Sequence, residues 1–226
     1  MIKMISRQED FLLFYKPAGM DFHTDKAVPG FFRQVQNLYP RESLYPVHRL
    51  DKMTSGLILI ARSSSSAVAL GALFQQKQIQ KYYLAISQKN PRKKQGLVKG
   101  DMLRSRRSSW KLTRGMSDPA ISYFYSCSLA PKKRLFLFRI YTGKTHQIRV
   151  AMNSLGSPVW GDPLYNISGP DADRAYLHSW QIHFHWKGQP LVFRCDPEEG
   201  RLFRPEEGFF LPPAWECFDE LSWPSF

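Results

Sequence analysis

The stretch His48-Arg49-Leu50-Asp51-Lys52-Met53-Thr54-Ser55-Gly56 places an imidazole, a guanidinium, a carboxylate, an ammonium and two hydroxyls within nine residues. A lone carboxylate among cations stays ionised, because a nearby opposite charge favours the charged form. Kept ionised beside a polyanion, it can serve as a nucleophile or as an electrostatic partner. In isolation the same Arg-x-Asp spacing also describes a surface ion pair worth under about 1 kcal/mol.

Other groups with chemical potential lie further along. His146 and Arg149 stand three apart, a spacing that puts both on one face of a helix, while Ile148, Met152 and Leu155 share another. Tyr83 sits in an apolar run, where pattern alone makes it a core aromatic. His183 and His185 alternate on an expected strand and so point to one face, as two metal ligands would. No carboxylate or cysteine cluster matches them, so no metal is expected. Cys127, Cys195 and Cys217 are odd in number and scattered, which reads as reduced thiols.

The string HRLD..TSGL at 48–57 resembles the signature of the RluA-type pseudouridine synthases, and further segments follow in that family's order. Phe14-Tyr15-Lys16-Pro17-Ala18-Gly19-Met20 is similar to its "NKPAGL" element, and Lys81-Tyr82-Tyr83-Leu84-Ala85 to its "K-x-Y-x-A" strand. Tyr141-Thr142-Gly143-Lys144-Thr145-His146-Gln147-Ile148-Arg149-Val150 resembles "TGRTHQIRV", with Gly161-Asp162-Pro163-Leu164-Tyr165 for "GDxxY" and Leu177-His178-Ser179 for "LHA". The chain departs from the pattern at Met53, where an acidic residue is common, at Lys144, which replaces an arginine, and at Ala151, which replaces a histidine.

The resemblance implies an isomerase that breaks the N-glycosidic bond of a uridine in structured RNA, turns the uracil over and rejoins it through carbon 5. No electrons are exchanged and no cofactor is needed. Asp51 would be the nucleophile, toward ring or ribose, or would assist glycal formation, with Arg149 as its cationic partner and Tyr83 stacked on the target base. A paired base must be extruded at a cost of a few kcal/mol. Arg49, a planar cation, would enter the vacated stack. His48, Lys144 and His146 would contact RNA, with His48 also open to a structural role that orients the loop. Ribosomal and transfer RNA are both substrate classes of the family, and a catalytically silent RNA-binding protein on the same scaffold is the rival reading.

Composition points the same way without the resemblance. Lys and Arg outnumber Asp and Glu by 32 to 19 in 226 residues, a formal charge of +13, which attracts polyanions. Nucleic acid is the first candidate; an anionic membrane surface lacks the long apolar stretch or basic amphipathic helix it would need. The N-terminus has no secretory pattern, so a cytoplasmic protein is expected, acting as a monomer. Against the family pattern, no small accessory RNA-binding domain of the kind many members carry is expected ahead of residue 11.

The elements that must position these groups follow from pattern. Residues 57–61 read as a buried strand, which makes the 48–56 segment a loop held against the core. Residues 11–15 form a second strand, stopped by Pro17 and Gly19. Helices are expected over 31–38 and from the serines at 63–66 to about Lys77. A strand covers 79–87. Residues 90–114, with Arg92, Lys93, Lys94, Lys99, Arg104, Arg106, Arg107, Lys111 and Arg114, read as a solvated loop or as a thumb-like insertion that grips phosphates. Residues 121–128 and 134–141 form a hairpin whose second strand, apolar on both sides, lies centrally. Thr145 is the expected N-cap of a helix that runs to Leu155 and stops at Gly156. Strands at 176–186 and 191–194 flank a turn at 187–190, and a helix over 214–221 follows Pro212-Pro213. The sum is one α+β catalytic domain over 1–226, a mixed, mainly antiparallel sheet flanked by helices, to which the resemblance adds a central RNA-binding cleft.

Overall fold

The computed structural model describes residues 1–24, 28–166, 172–216 and 221–226. Along these the chain runs β1 (Lys3–Arg7), β2 (Phe11–Lys16), α1 (Phe31–Leu38), β3 (Tyr45–Pro46), β4 (Ser55–Ala61), α2 (Ser64–Gln75), β5 (Gln80–Ser87) and β6 (Gln95–Gly100). It continues through β7 (Met102–Arg104), β8 (Trp110–Leu112), β9 (Ala120–Ala130), β10 (Lys133–Ile140), α3 (Gln147–Ser154), β11 (Leu177–Trp186), β12 (Gln189–Arg194) and α4 (Pro213–Glu216). The fold is α+β with mainly antiparallel pairing. No helix among the described residues is long and apolar enough to cross a membrane. The chain divides into two compact units, residues 1–81 with 178–197 and residues 82–177 with 198–226.

In the first unit the strands lie in the order β1-β2-β4-β11-β12, with β3 on β4. β2 and β4 are buried along their whole lengths, as their unbroken apolar runs require, and pair antiparallel with Phe14 opposite Ile58 and Lys16 opposite Gly56. β11 joins β4 in parallel through His178 opposite Ser55 and Ser179 opposite Gly56. A side chain at 56 has no place there: a Cβ would stand 2.1 Å from the Ser179 carbonyl oxygen, and φ is +108°. Phe11, Leu13, Tyr15, Leu57 and Leu59 form the core with Leu70 of α2 and Ile182 and Phe184 of β11. Ser63 caps α2 as expected, its hydroxyl accepting the Ser66 N–H at 3.0 Å.

In the second unit the order is β5-β10-β9-β6, and β7 and β8 form a separate antiparallel ribbon. β10 is the interior strand that its two apolar faces called for, with Leu135, Phe136, Leu137 and Phe138 fully buried. On one face Phe124 stacks on Phe138 at 5.4 Å. On the other the Arg139 guanidinium lies over Tyr141 at 4.8 Å and near Tyr82 and Trp223, while Tyr125 donates to the Ser222 carbonyl at 2.6 Å.

Several sequence expectations need correction. Residues 95–112 are not a loop: they hold β6, β7, a short 3-10 turn at Arg106–Ser108 and β8, with Val98 and Gly100 turned inward and the cations outward. Thr145 does not cap α3. The residue before the helix is His146, in the left-handed conformation at φ 59° and without a side-chain cap, while the Gln147 side chain ties the preceding loop to β9 by accepting the Lys144 N–H at 2.9 Å and donating to the Ile121 carbonyl at 3.0 Å. α3 then ends one residue early, with Gly156 at φ +78° as expected. The β11–β12 turn shrinks to Lys187-Gly188, both at positive φ, so Gln189 and Pro190 already belong to β12. Of the C-terminal helix, 213–216 is observed; the rest of it through 220, and Cys217, lie outside the described residues.

Candidate active site

Asp51 is half-buried on the loop before β4, and its carbonyl accepts the Thr54 N–H at 3.0 Å, which closes a tight turn. The loop is braced from below by Lys16. This lysine is fully buried, and its ammonium donates to the carbonyls of Pro17 at 2.9 Å, Met20 at 2.7 Å and Lys52 at 3.1 Å. One charged group thus ties the Lys16-Pro17-Ala18-Gly19 turn to the Asp51 loop and satisfies backbone acceptors that would otherwise be costly to bury. The Lys52 side chain pairs with Asp21 at 2.7 Å.

Two histidines fix the flanks. The Leu59 N–H donates to His48 Nε2 at 2.8 Å, and the ring lies 4.6 Å from that of Phe74. Burial, helped by the nearby Lys81 charge, pushes the His48 pKa down to about 3, so the ring is neutral and its proton resides on Nδ1. Beyond the turn, His178 is buried between the Ser55 hydroxyl, 2.8 Å from Nδ1, and the Cys195 carbonyl, 2.7 Å from Nε2. A carbonyl only accepts, so Nε2 carries the proton and Nδ1 accepts from Ser55. Arg49, between these braces, is exposed.

The second unit holds Arg149, 3% exposed, in a fork with Asp162: Nε donates to Oδ2 at 2.7 Å and Nη2 to Oδ1 at 3.1 Å. Asp162 also accepts the N–H groups of Leu164 at 2.9 Å and Tyr165 at 3.1 Å, so this buried carboxylate is well satisfied. The Tyr165 ring lies 5.0 Å from the Arg149 guanidinium. Its hydroxyl accepts the N–H of Trp110, at the start of β8, at 2.8 Å and stands 3.2 Å from His146 Nδ1. Lys144 pairs with the exposed Asp118. Tyr83 is buried in β5.

The sequence reading gave Arg149 a carboxylate partner in Asp51; Asp162 is one it did not foresee, and it lies in the buried interior rather than on a free polar face. Lys16, His178, Asp162 and Tyr165 were all absent from the expected site. Their signal was present, since each is a polar residue inside a string that matched the family. His183 Nε2 lies 2.8 Å from Gln181 Oε1, and among the described residues no group of three or more His, Cys, Asp and Glu is placed to hold a metal. Chemically, the first unit presents a carboxylate on a rigid turn beside an exposed guanidinium, and the second a dry, oriented guanidinium.

The sequence pattern of the family described as RNA pseudouridylate synthase matches residues 10–154. An uncharacterised RNA pseudouridine synthase of Haemophilus influenzae is 41% identical over 202 residues, which cover 89% of this chain and 90% of that one. The ribosomal large subunit pseudouridine synthase D of Nitrosomonas europaea is 30% identical over 217 residues; the match covers 85% of this chain and 61% of that longer protein. Among solved structures, human RNA pseudouridylate synthase domain containing 1 superposes with a TM-score of 0.78 at 19% identity, covering 97% of this chain and 94% of that one. Human RNA pseudouridylate synthase domain containing 4 does so with a TM-score of 0.70 at 22% identity, covering 88% and 89%.

Proposed function

Because the chain belongs to the RNA pseudouridylate synthase family, isomerases that act on RNA, we propose that it converts specific uridines of structured RNA to pseudouridine with Asp51 as the nucleophile. The observation that carries this reading is the bracing of the Asp51 turn by Lys16, His48 and the Ser55–His178 pair. That investment in rigidity suits a group that must meet a reacting carbon within a few tenths of an ångström. By the family resemblance, Arg149 supplies the catalytic cation, and Tyr83 stacks on the uracil. Arg49, exposed and planar, fills the gap left by the extruded nucleotide. The ribbon of β7 and β8, with its outward arginines, grips backbone phosphates as the thumb. Ribosomal RNA is the first substrate class to test, given the name of the Nitrosomonas relative, with transfer RNA second.

Tritium release from carbon 5 of labelled uridine in bulk RNA tests the activity. Asp51→Asn should abolish release and leave fold and RNA affinity nearly intact, because an amide of the same shape is no nucleophile. More than about a tenth of wild-type turnover in that variant would reject Asp51 as nucleophile. No release by the wild type from ribosomal or transfer RNA would favour the silent RNA-binding scaffold.

A further inference from the structure

We infer that Tyr165 is a positioning residue with two separable jobs: its hydroxyl anchors the RNA-gripping ribbon of β7 and β8, and its ring sets the plane of the Arg149 guanidinium. The inference rests on the function proposed above. Tyr165 stands where those two parts meet. Its backbone N–H is fixed on Asp162 at 3.1 Å, the same carboxylate that holds Arg149. The backbone at 165 is thereby tied to the group that orients the guanidinium, whose carbon lies 5.0 Å from the ring centre, within range of cation–π attraction.

The hydroxyl points the other way in function. It accepts the Trp110 N–H at 2.8 Å, a backbone bond that locates the whole of β8 irrespective of the side chain at 110. β8 pairs with β7 through Arg104 opposite Trp110, and the Arg104 guanidinium lies 6.0 Å from the Trp110 ring. Arg104, Arg106 and Arg107, all exposed, are thus carried on a ribbon that this hydroxyl fastens. His146 Nδ1, 3.2 Å from the same oxygen, adds the start of α3 to the node. A two-stranded ribbon of three residues a side is too short to hold itself in place, so such an anchor decides where its arginines stand.

The two jobs separate by substitution. Tyr165→Phe removes the hydroxyl and keeps the ring; Tyr165→Met removes both and fills the space with an unbranched side chain. With single-turnover kinetics on labelled RNA, Tyr165→Phe should raise the half-saturating enzyme concentration about three- to tenfold, the worth of one lost hydrogen bond, and leave the rate at saturation at the wild-type value. Tyr165→Met should show the same rise and lose a further factor of about ten in the saturated rate. Combining Arg104→Gln, Arg106→Gln and Arg107→Gln with Tyr165→Phe should give less than the product of the separate effects on half-saturation. Equal effects of Phe and Met on both parameters, full multiplicativity, or loss of the folded state in either variant would overturn the inference and leave Tyr165 as scaffold. Wild-type turnover and the Asp51→Asn control in the same assay establish whether the underlying function holds, independently of these outcomes.

Discussion

Cations do opposite things in two regions of this molecule. Around Asp51 two lysines are tied to fixed partners, the buried Lys16 giving its ammonium to backbone carbonyls and the exposed Lys52 pairing with Asp21. On the β7–β8 ribbon Arg104, Arg106, Arg107 and Lys111 all face water. The first set fixes geometry; the second supplies long-range attraction. Density of positive charge along a sequence therefore marks where a polyanion is drawn, and the sparse buried cation marks where something must not move.

The sharpest test of that contrast is Gly56→Ala. A Cβ 2.1 Å from the Ser179 carbonyl, at positive φ, should cost about 3–5 kcal/mol, enough to unfold the first unit at ordinary temperature in a denaturant titration. Next comes Lys16→Met. The loss of the ammonium strands buried carbonyls on both sides of the Asp51 turn and should cost about 3 kcal/mol, with turnover impaired even where the chain is folded. A stability within about 0.5 kcal/mol of wild type would erase the distinction between the two regions.

Acid should act on the same region with a somewhat smaller effect. The folded His48 titrates near 3, well below the ordinary histidine value of 6.5, so the unfolded chain takes up the extra proton between those limits. Its contribution is complete above pH 6.5 and is lost as pH falls toward 3, by about 2–3 kcal/mol at pH 4.5. His48→Asn should flatten the stability profile in that window by up to one proton. The smallest change in stability belongs to the ribbon: Arg104→Gln, Arg106→Gln and Arg107→Gln should each move unfolding by less than about 0.5 kcal/mol. Together they should flatten the log–log salt dependence of RNA binding by about two charges. A large loss of stability with an unchanged salt slope would reverse the assignment of the two regions.

What the sequence made legible follows the strength of local signals. The Ser63 cap, the buried β2 and β4 and the interior β10 each carried an unmistakable period or capping residue. β6 escaped because only Val98 and Gly100 turn inward among outward cations, too weak an alternation to see through the charge. β1 escaped because it is only half-buried and broken by an irregularity between Met4 and Ser6. Thr145 misled because the chain enters α3 through a left-handed His146, which puts Thr145 one residue outside the capping position. In the site, the strings were visible through family resemblance, but their wiring was not. Lys16 reaches a carbonyl 36 residues away, and Arg149 a carboxylate 13 residues away around a turn. Pairings of that kind are settled by tertiary packing, which local propensity does not encode.

The first unit is assembled from two separated pieces of chain, 1–81 and 178–197. On the ribosome, β4 therefore emerges well before β11, its parallel partner at Ser55 and Gly56. At ordinary elongation speeds the interval is roughly ten seconds, during which that edge of β4 offers unpaired backbone groups to any neighbouring strand. Chains halted before residue 178 should therefore aggregate more readily than full-length ones, since the partner of Ser55 and Gly56 and the His178 bond to the Cys195 carbonyl are completed only later.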